Sequence, residues 1–162
     1  STLINSSIFN VLALDQISSS PFVNELSACT AVILQQGDDL GERMQNAIAW
    51  GLDRADKVII VGSDCPVLMA EHLDEITQSL DNHSHAFIPA EDGGYVLIAA
   101  TELYEAIFSD MPWGTGDVMA LTKRKLLAGN KKAAYLPPLW DVDRPEDYRR
   151  LCELFPQEFL LK

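Results

Sequence analysis

The 162-residue chain is poor in positive charge: 12 Lys and Arg stand against 24 Asp and Glu, a net charge of −12. Its basic residues are scattered apart from KRK at 123–125 and KK at 131–132. That argues against nucleic acid, whose phosphates need a continuous basic surface. No apolar run approaches the ~20 residues that span a bilayer, which gives the expectation of no membrane partner. The start, STLINSSIFNVLALD, has no basic region ahead of its apolar stretch and does not read as a signal peptide. Cysteine is scarce. Cys29, Cys65 and Cys152 are odd in number and widely spaced, giving neither a disulfide framework nor metal-ligand spacing. A reducing, cytoplasmic location is the corresponding expectation. No G-x-G-x-x-G or P-loop pattern occurs, and no Ser or Cys sits in a nucleophile elbow.

What is present is an alternation of short apolar runs and amphipathic segments. Strands are expected at 8–15, 30–35, 57–63, 85–90, after the Gly93–Gly94 turn, and at 133–138. Helices are expected at 21–28, 38–55, 70–80, 102–109, 115–129 and 144–155. In 38–55, Leu40, Met44, Ala47, Ile48, Gly51 and Leu52 share one face, with Asp38 or Asp39 as cap. Thr115 reads as the N-cap of the helix that follows it, and Pro145 fits a first helical turn. The fold class is α/β: one domain over 1–162, a mostly parallel sheet between two layers of helices, with one local reversal at the glycine pair. Ligands in such sheets sit beyond the carboxyl ends of the strands.

The acids gather at those ends. Asp64 follows VIIVGS and either caps a helix or closes a turn, or holds a hard divalent cation through its carboxylate oxygens. Glu91 and Asp92 precede two glycines, as an acidic hairpin tip or as groups facing a ligand. Asp141 and Asp143 lie two apart and point the same way on extended chain, a spacing that suits metal. Asp143 reads better as the cap of the helix after it, leaving Asp141 as the open candidate. In QQGDDLGERM, Gly37 and Gly41 frame a helix start whose free N–H groups can receive a base edge or a phosphate. Arg43 there pairs either with phosphate or with Asp39 on the surface. The His-containing NHSH at 82–85 reads as a polar loop, Cys65 as packing and Trp113 as core.

Four of these stretches (QQGDDLGERM, IIVGSDCPVL, PAEDGGYVLI and DVDRPEDYRRL) together resemble a small bacterial family of predicted glycosyltransferases. MPWGTGDVM is a fifth shared block, with Gly114 where Ser is usual. The resemblance spans about residues 8 to 151. It implies a GT-A-like nucleotide-diphospho-sugar transferase fold, more distantly similar to molybdenum-cofactor and phospholactate guanylyltransferases. It also implies Asp64 as a ligand of Mg2+ or Mn2+, with Asp141 and Asp143 as a second metal or acceptor position. Glu91 and Asp92 fall on the acceptor side as the catalytic pair, and Gly37, Asp39 and Gly41 beside the nucleotide base. The implied partner is a nucleotide or nucleotide sugar. One departure stands out. The strand and the Gly-, Lys- and Arg-containing phosphate loop that open the family pattern are not found, so the fold is expected to be shortened at its N-terminal side. Strands that lose a neighbour expose a pairing edge, which a homodimer can cover. Two readings stay beside the glycosyltransferase: a nucleotidyltransferase using a nucleoside triphosphate and a phosphorylated small molecule, and a non-catalytic binding module.

Overall fold

The computed structural model describes residues 9–16, 20–21, 25 and 31–156. Its strands are β1 (Val11–Leu14), β2 (Ala31–Leu34), β3 (Val58–Val61), β4 (His85–Pro89), β5 (Tyr95–Ala100) and β6 (Ala133–Tyr135). Its helices are α1 (Leu40–Leu52), α2 (Ala70–Ser79), α3 (Val118–Ala128) and α4 (Pro145–Leu154). The helix expected at 21–28 falls largely outside the described residues.

Four strands form one sheet in the order β3-β5-β4-β6. β5 runs antiparallel to both β3 and β4, while β6 is parallel to β4. Only β5 is reversed, so this sheet is otherwise parallel, and the reversal occurs at the glycine-pair turn. β1 and β2 form a separate parallel pair, Val11 opposite Ala31 and Leu14 opposite Leu34. Among the described residues, the second edge of β3 has no strand beside it.

Two apolar clusters flank the larger sheet, because alternate residues of β4 and β5 point to opposite faces. Ile88, Leu97 and Ala99 meet Ile76 and Leu80 on one face. Phe87, Ile98 and Ala100 meet Ile48, Ile107, Met119 and Leu126 on the other. α1 is capped by Asp39, whose Oδ1 accepts the Glu42 N–H at 2.8 Å. That satisfies one of the donors every helix start leaves unpaired.

Three local expectations are corrected. Residues 102–109 make only a single 3-10 turn, Glu105–Ile107, which turns Ile107 and Phe108 into the core. α3 begins at Val118 behind Asp117, so Thr115 is not its cap. Instead the Thr115 hydroxyl donates to Pro112 O at 2.8 Å and shapes the preceding turn. His85 is no loop residue: it opens β4 at 1% exposure, with Nδ1 3.0 Å from the Ser84 hydroxyl. Burial holds its pKa down at about 4, with Lys131 lowering it further and Glu102 opposing.

Candidate active site

The turn after β4 and the segment before α4 line one acidic cleft. Ala90 bridges to Leu139 in parallel register, and the Glu91 N–H donates to Leu139 O at 2.9 Å. This brings the segment 140–143 beside the turn after β4. The Val142 N–H donates to Asp64 O at 3.0 Å, tying the same segment to the turn after β3. Two backbone bonds thus carry three distant acidic stretches to one edge.

The turn itself is tightly packed and hydrogen-bonded. Gly93 has φ +97°, a conformation side-chain-bearing residues rarely adopt. A Cβ there would lie 2.1 Å from Gly116 O, so the turn packs directly on the loop before α3. The Gly93 carbonyl accepts the Met119 N–H at 2.9 Å, and Asp92 Oδ1 accepts the Gly94 N–H at 2.8 Å. Asp92 is therefore aimed by its own turn.

Asp92, Asp141 and Asp143 each offer a carboxylate oxygen, all within 4.8 Å of one another. Asp141 is half-buried and the other two are exposed. Its carboxyl is pushed above the usual range, first by burial, then by the charge of Asp92, with Asp143 and Asp64 adding to it. The surrounding cavity, about 180 Å³, is lined by Glu91, Asp92, Trp140, Asp141, Asp143, Arg144 and Asp147. The donor set is all hard oxygen and carries excess negative charge. It fits Mg2+ or Mn2+, which favour carboxylate and water oxygens.

Asp143 does not cap α4. Arg144 holds that position, and Asp147 Oδ2 accepts the N–H groups of Arg144 at 2.9 Å and Asp143 at 3.3 Å. Asp147 supplies the cap from inside the helix, which frees the Asp143 carboxylate for the cleft. The same-side spacing of Asp141 and Asp143 was the signal for their pairing. Asp64 is exposed and lies outside the trio, joined to it through its backbone. α2 takes Met69 as N-cap residue, its N–H donating to His72 Nδ1 at 3.0 Å, so Asp64 does not cap that helix. Glu91 accepts two hydrogen bonds from Arg150 of α4, at 2.9 and 3.3 Å. Sequence spacing gives no sign of that partnership, since 59 residues separate the pair.

The loop before α1 lies elsewhere. Asp39 borders a second cavity of about 580 Å³ with Glu42, Gln45, Asn46, Glu105, Phe108, Ser109 and Asp110, none of which lines the acidic cleft. Arg43 forms no salt bridge with Asp39; its Nε–H donates to Gly37 O at 3.2 Å and closes the loop on itself. Gly41 is buried, and a Cβ there would come 2.6 Å from Trp113 Nε1, so its bareness serves helix packing.

No described helix is long and apolar enough to cross a membrane. Among solved structures, the chain is similar to a protein from Desulfovibrio desulfuricans G20 carrying the provisional name nucleotide-diphospho-sugar transferase. The identity is 28% and the TM-score 0.79, over 92% of this chain and 67% of that one. It shares its fold with a CMP:2-keto-3-deoxy-manno-octonic acid synthetase complexed with CTP, at 13% identity and TM-score 0.61, over 94% and 82% of the two chains. A cytidylyltransferase from Leptospira borgpetersenii serovar Hardjo-bovis gives 16% and 0.61, over 91% and 68%. The fold is thus that of the nucleotide-diphospho-sugar transferases. No curated protein matches the chain. A bacterial family model described as "Uncharacterized protein conserved in bacteria (DUF2064)" matches residues 4–115, which include Asp64, Glu91 and Asp92. With most of its length inside that match, the chain belongs to the DUF2064 family.

Proposed function

We propose that this chain is a nucleotide-dependent transferase whose donor is a nucleotide-diphospho-sugar, assisted by Mg2+ or Mn2+. The observation that carries this is the meeting of Asp92, Asp141 and Asp143 within 4.8 Å at the carboxyl edge of the sheet. A bound divalent cation there would neutralise the charge that develops on a leaving diphosphate. Asp92, Asp141 and Asp143 would hold it, with Asp64 close by through Val142. Glu91 keeps its place on the acceptor side, as a group fixed by Arg150. The α1 loop with Gly37, Asp39, Gly41 and Arg43 is the proposed seat of the base; Asn46 and Gln45 beside it carry amides able to read a base edge.

The second reading is a nucleotidyltransferase, which attacks the α-phosphate of a triphosphate and releases pyrophosphate. It is favoured by two fold neighbours, a synthetase complexed with CTP and a cytidylyltransferase. The product separates the two readings: pyrophosphate for this one, a nucleoside diphosphate for the first.

A thermal-shift screen of nucleotides and nucleotide sugars, each with and without Mn2+, tests both. Ligand at about 100 times its Kd should add about 2.7 kcal/mol. Asp141→Asn should abolish the Mn2+-dependent shift while leaving the metal-free protein at least as stable, since it removes a repelled charge. Absence of a shift with every nucleotide and nucleotide sugar, with or without Mn2+, would reject both transferase readings and favour the non-catalytic scaffold.

A further inference from the structure

α4 presents a puzzle of attachment: it has no buried residue, yet it closes one side of the cleft through Asp147. One side-chain hold on the body is Arg150. The guanidinium lies 4.5 Å from the centre of the Trp140 ring, which is only 5% exposed, and donates both terminal nitrogens to Glu91. Such a planar fork, stacked on one face and bidentate at its edge, fixes its carboxylate in direction as well as in charge.

Glu91 adjoins Asp92 in the chain and lines the same cavity as Asp141 and Asp143. Left unpaired, it would be a fourth carboxylate within reach of any cation held by the trio. Every added carboxylate takes a coordination position that a small hard cation otherwise keeps for water or phosphate oxygen. We propose that Arg150 is a positioning residue that withholds Glu91 from the divalent-cation site of Asp92, Asp141 and Asp143, keeping positions on the ion open for the substrate's diphosphate. This rests on the metal-assisted reading above. It assigns Glu91 and α4 a purpose that does not require Glu91 to act as a base.

The test is calorimetric titration of Mn2+ into the wild-type chain, Arg150→Gln, Glu91→Gln and the double variant. Removing a unit positive charge near a divalent ion tightens binding by about fivefold through charge alone. Release of Glu91 adds to that only where Glu91 is still a carboxylate. Arg150→Gln should therefore tighten Mn2+ binding more in the wild-type background than in Glu91→Gln, by roughly threefold or more. Equal effects in the two backgrounds, or weaker Mn2+ binding in Arg150→Gln, would overturn the proposal while leaving the metal site intact. Absence of Mn2+ binding by the wild-type chain would instead sink the functional reading, and this inference with it. Arg150→Lys keeps the charge and loses the fork; it should tighten Mn2+ in the wild-type background alone, and it carries the comparison if the Gln variant does not fold.

Discussion

The β4–β5 hairpin and the strands β1, β2 and β3 are built from much the same residues and end in different surroundings. In β4 and β5, Ala86, Phe87, Ile88, Val96, Leu97, Ile98, Ala99 and Ala100 are all buried. β2 is AVIL and β3 is VIIV, no less apolar, yet Val32, Leu34 and Val61 are 40%, 47% and 46% exposed. Hydrophobicity is not the difference. β4 and β5 each have strands on both sides and apolar clusters on both faces, whereas β3 has a strand on one side only among the described residues. An apolar strand is buried by its neighbours, and its own sequence only makes it willing.

The sharpest way to break this comparison is Phe87→Ala. Phe87 has no exposure and its ring packs against Tyr95 at 5.5 Å and Tyr135 at 5.8 Å between centroids. Its truncation should cost about 3–5 kcal/mol in urea unfolding. A loss below about 1 kcal/mol would mean that the hairpin is no better packed than the open strands.

The next effect is pH dependence at the head of β4. The His85 pKa is about 4 in the folded chain against 6.5 when unfolded, so between those values the unfolded state binds more protons. Stability should fall as pH drops from 6.5 to about 4, by at most about 3 kcal/mol, and His85 should contribute no further loss below that. His85→Asn should flatten that part of the curve; an unchanged slope would place the acid sensitivity elsewhere. The smallest effect belongs to the open edge. Val61→Thr keeps the branched shape at a 46% exposed position and should change stability by less than about 0.5 kcal/mol. A large loss would show that Val61 is covered in solution, for which sedimentation would identify a second copy of the chain.

Much of the fold was legible because its signals are local. Apolar periodicity located α1, Pro145 marked the start of α4, and the Gly93–Gly94 pair marked the reversal into β5. The failures have physical causes of their own. Residues 102–109 carry helical spacing, but Ile107 and Phe108 are drawn into the core and leave one turn of 3-10 helix. Asp143 sits where a cap is usual, yet Asp147 reaches back and makes the bonds. The site was legible as a set of acids at strand ends, less so as a division of roles. Nothing in spacing could show that Glu91 is taken by Arg150, or that Asp64 stays apart from the trio.

By itself the sequence determined the order of the described strands and helices outside 102–109, and that the turns after β3 and β4 carry carboxylates. Period, capping and turn chemistry act over a few residues and need no tertiary contact. Only the tertiary structure decided which carboxylates meet. Asp92 and Asp141 are brought together because Leu139 pairs with the end of β4, and Asp64 is tied in because its carbonyl receives Val142. Those are long-range backbone bonds, and their partners are chosen by which strands share an edge.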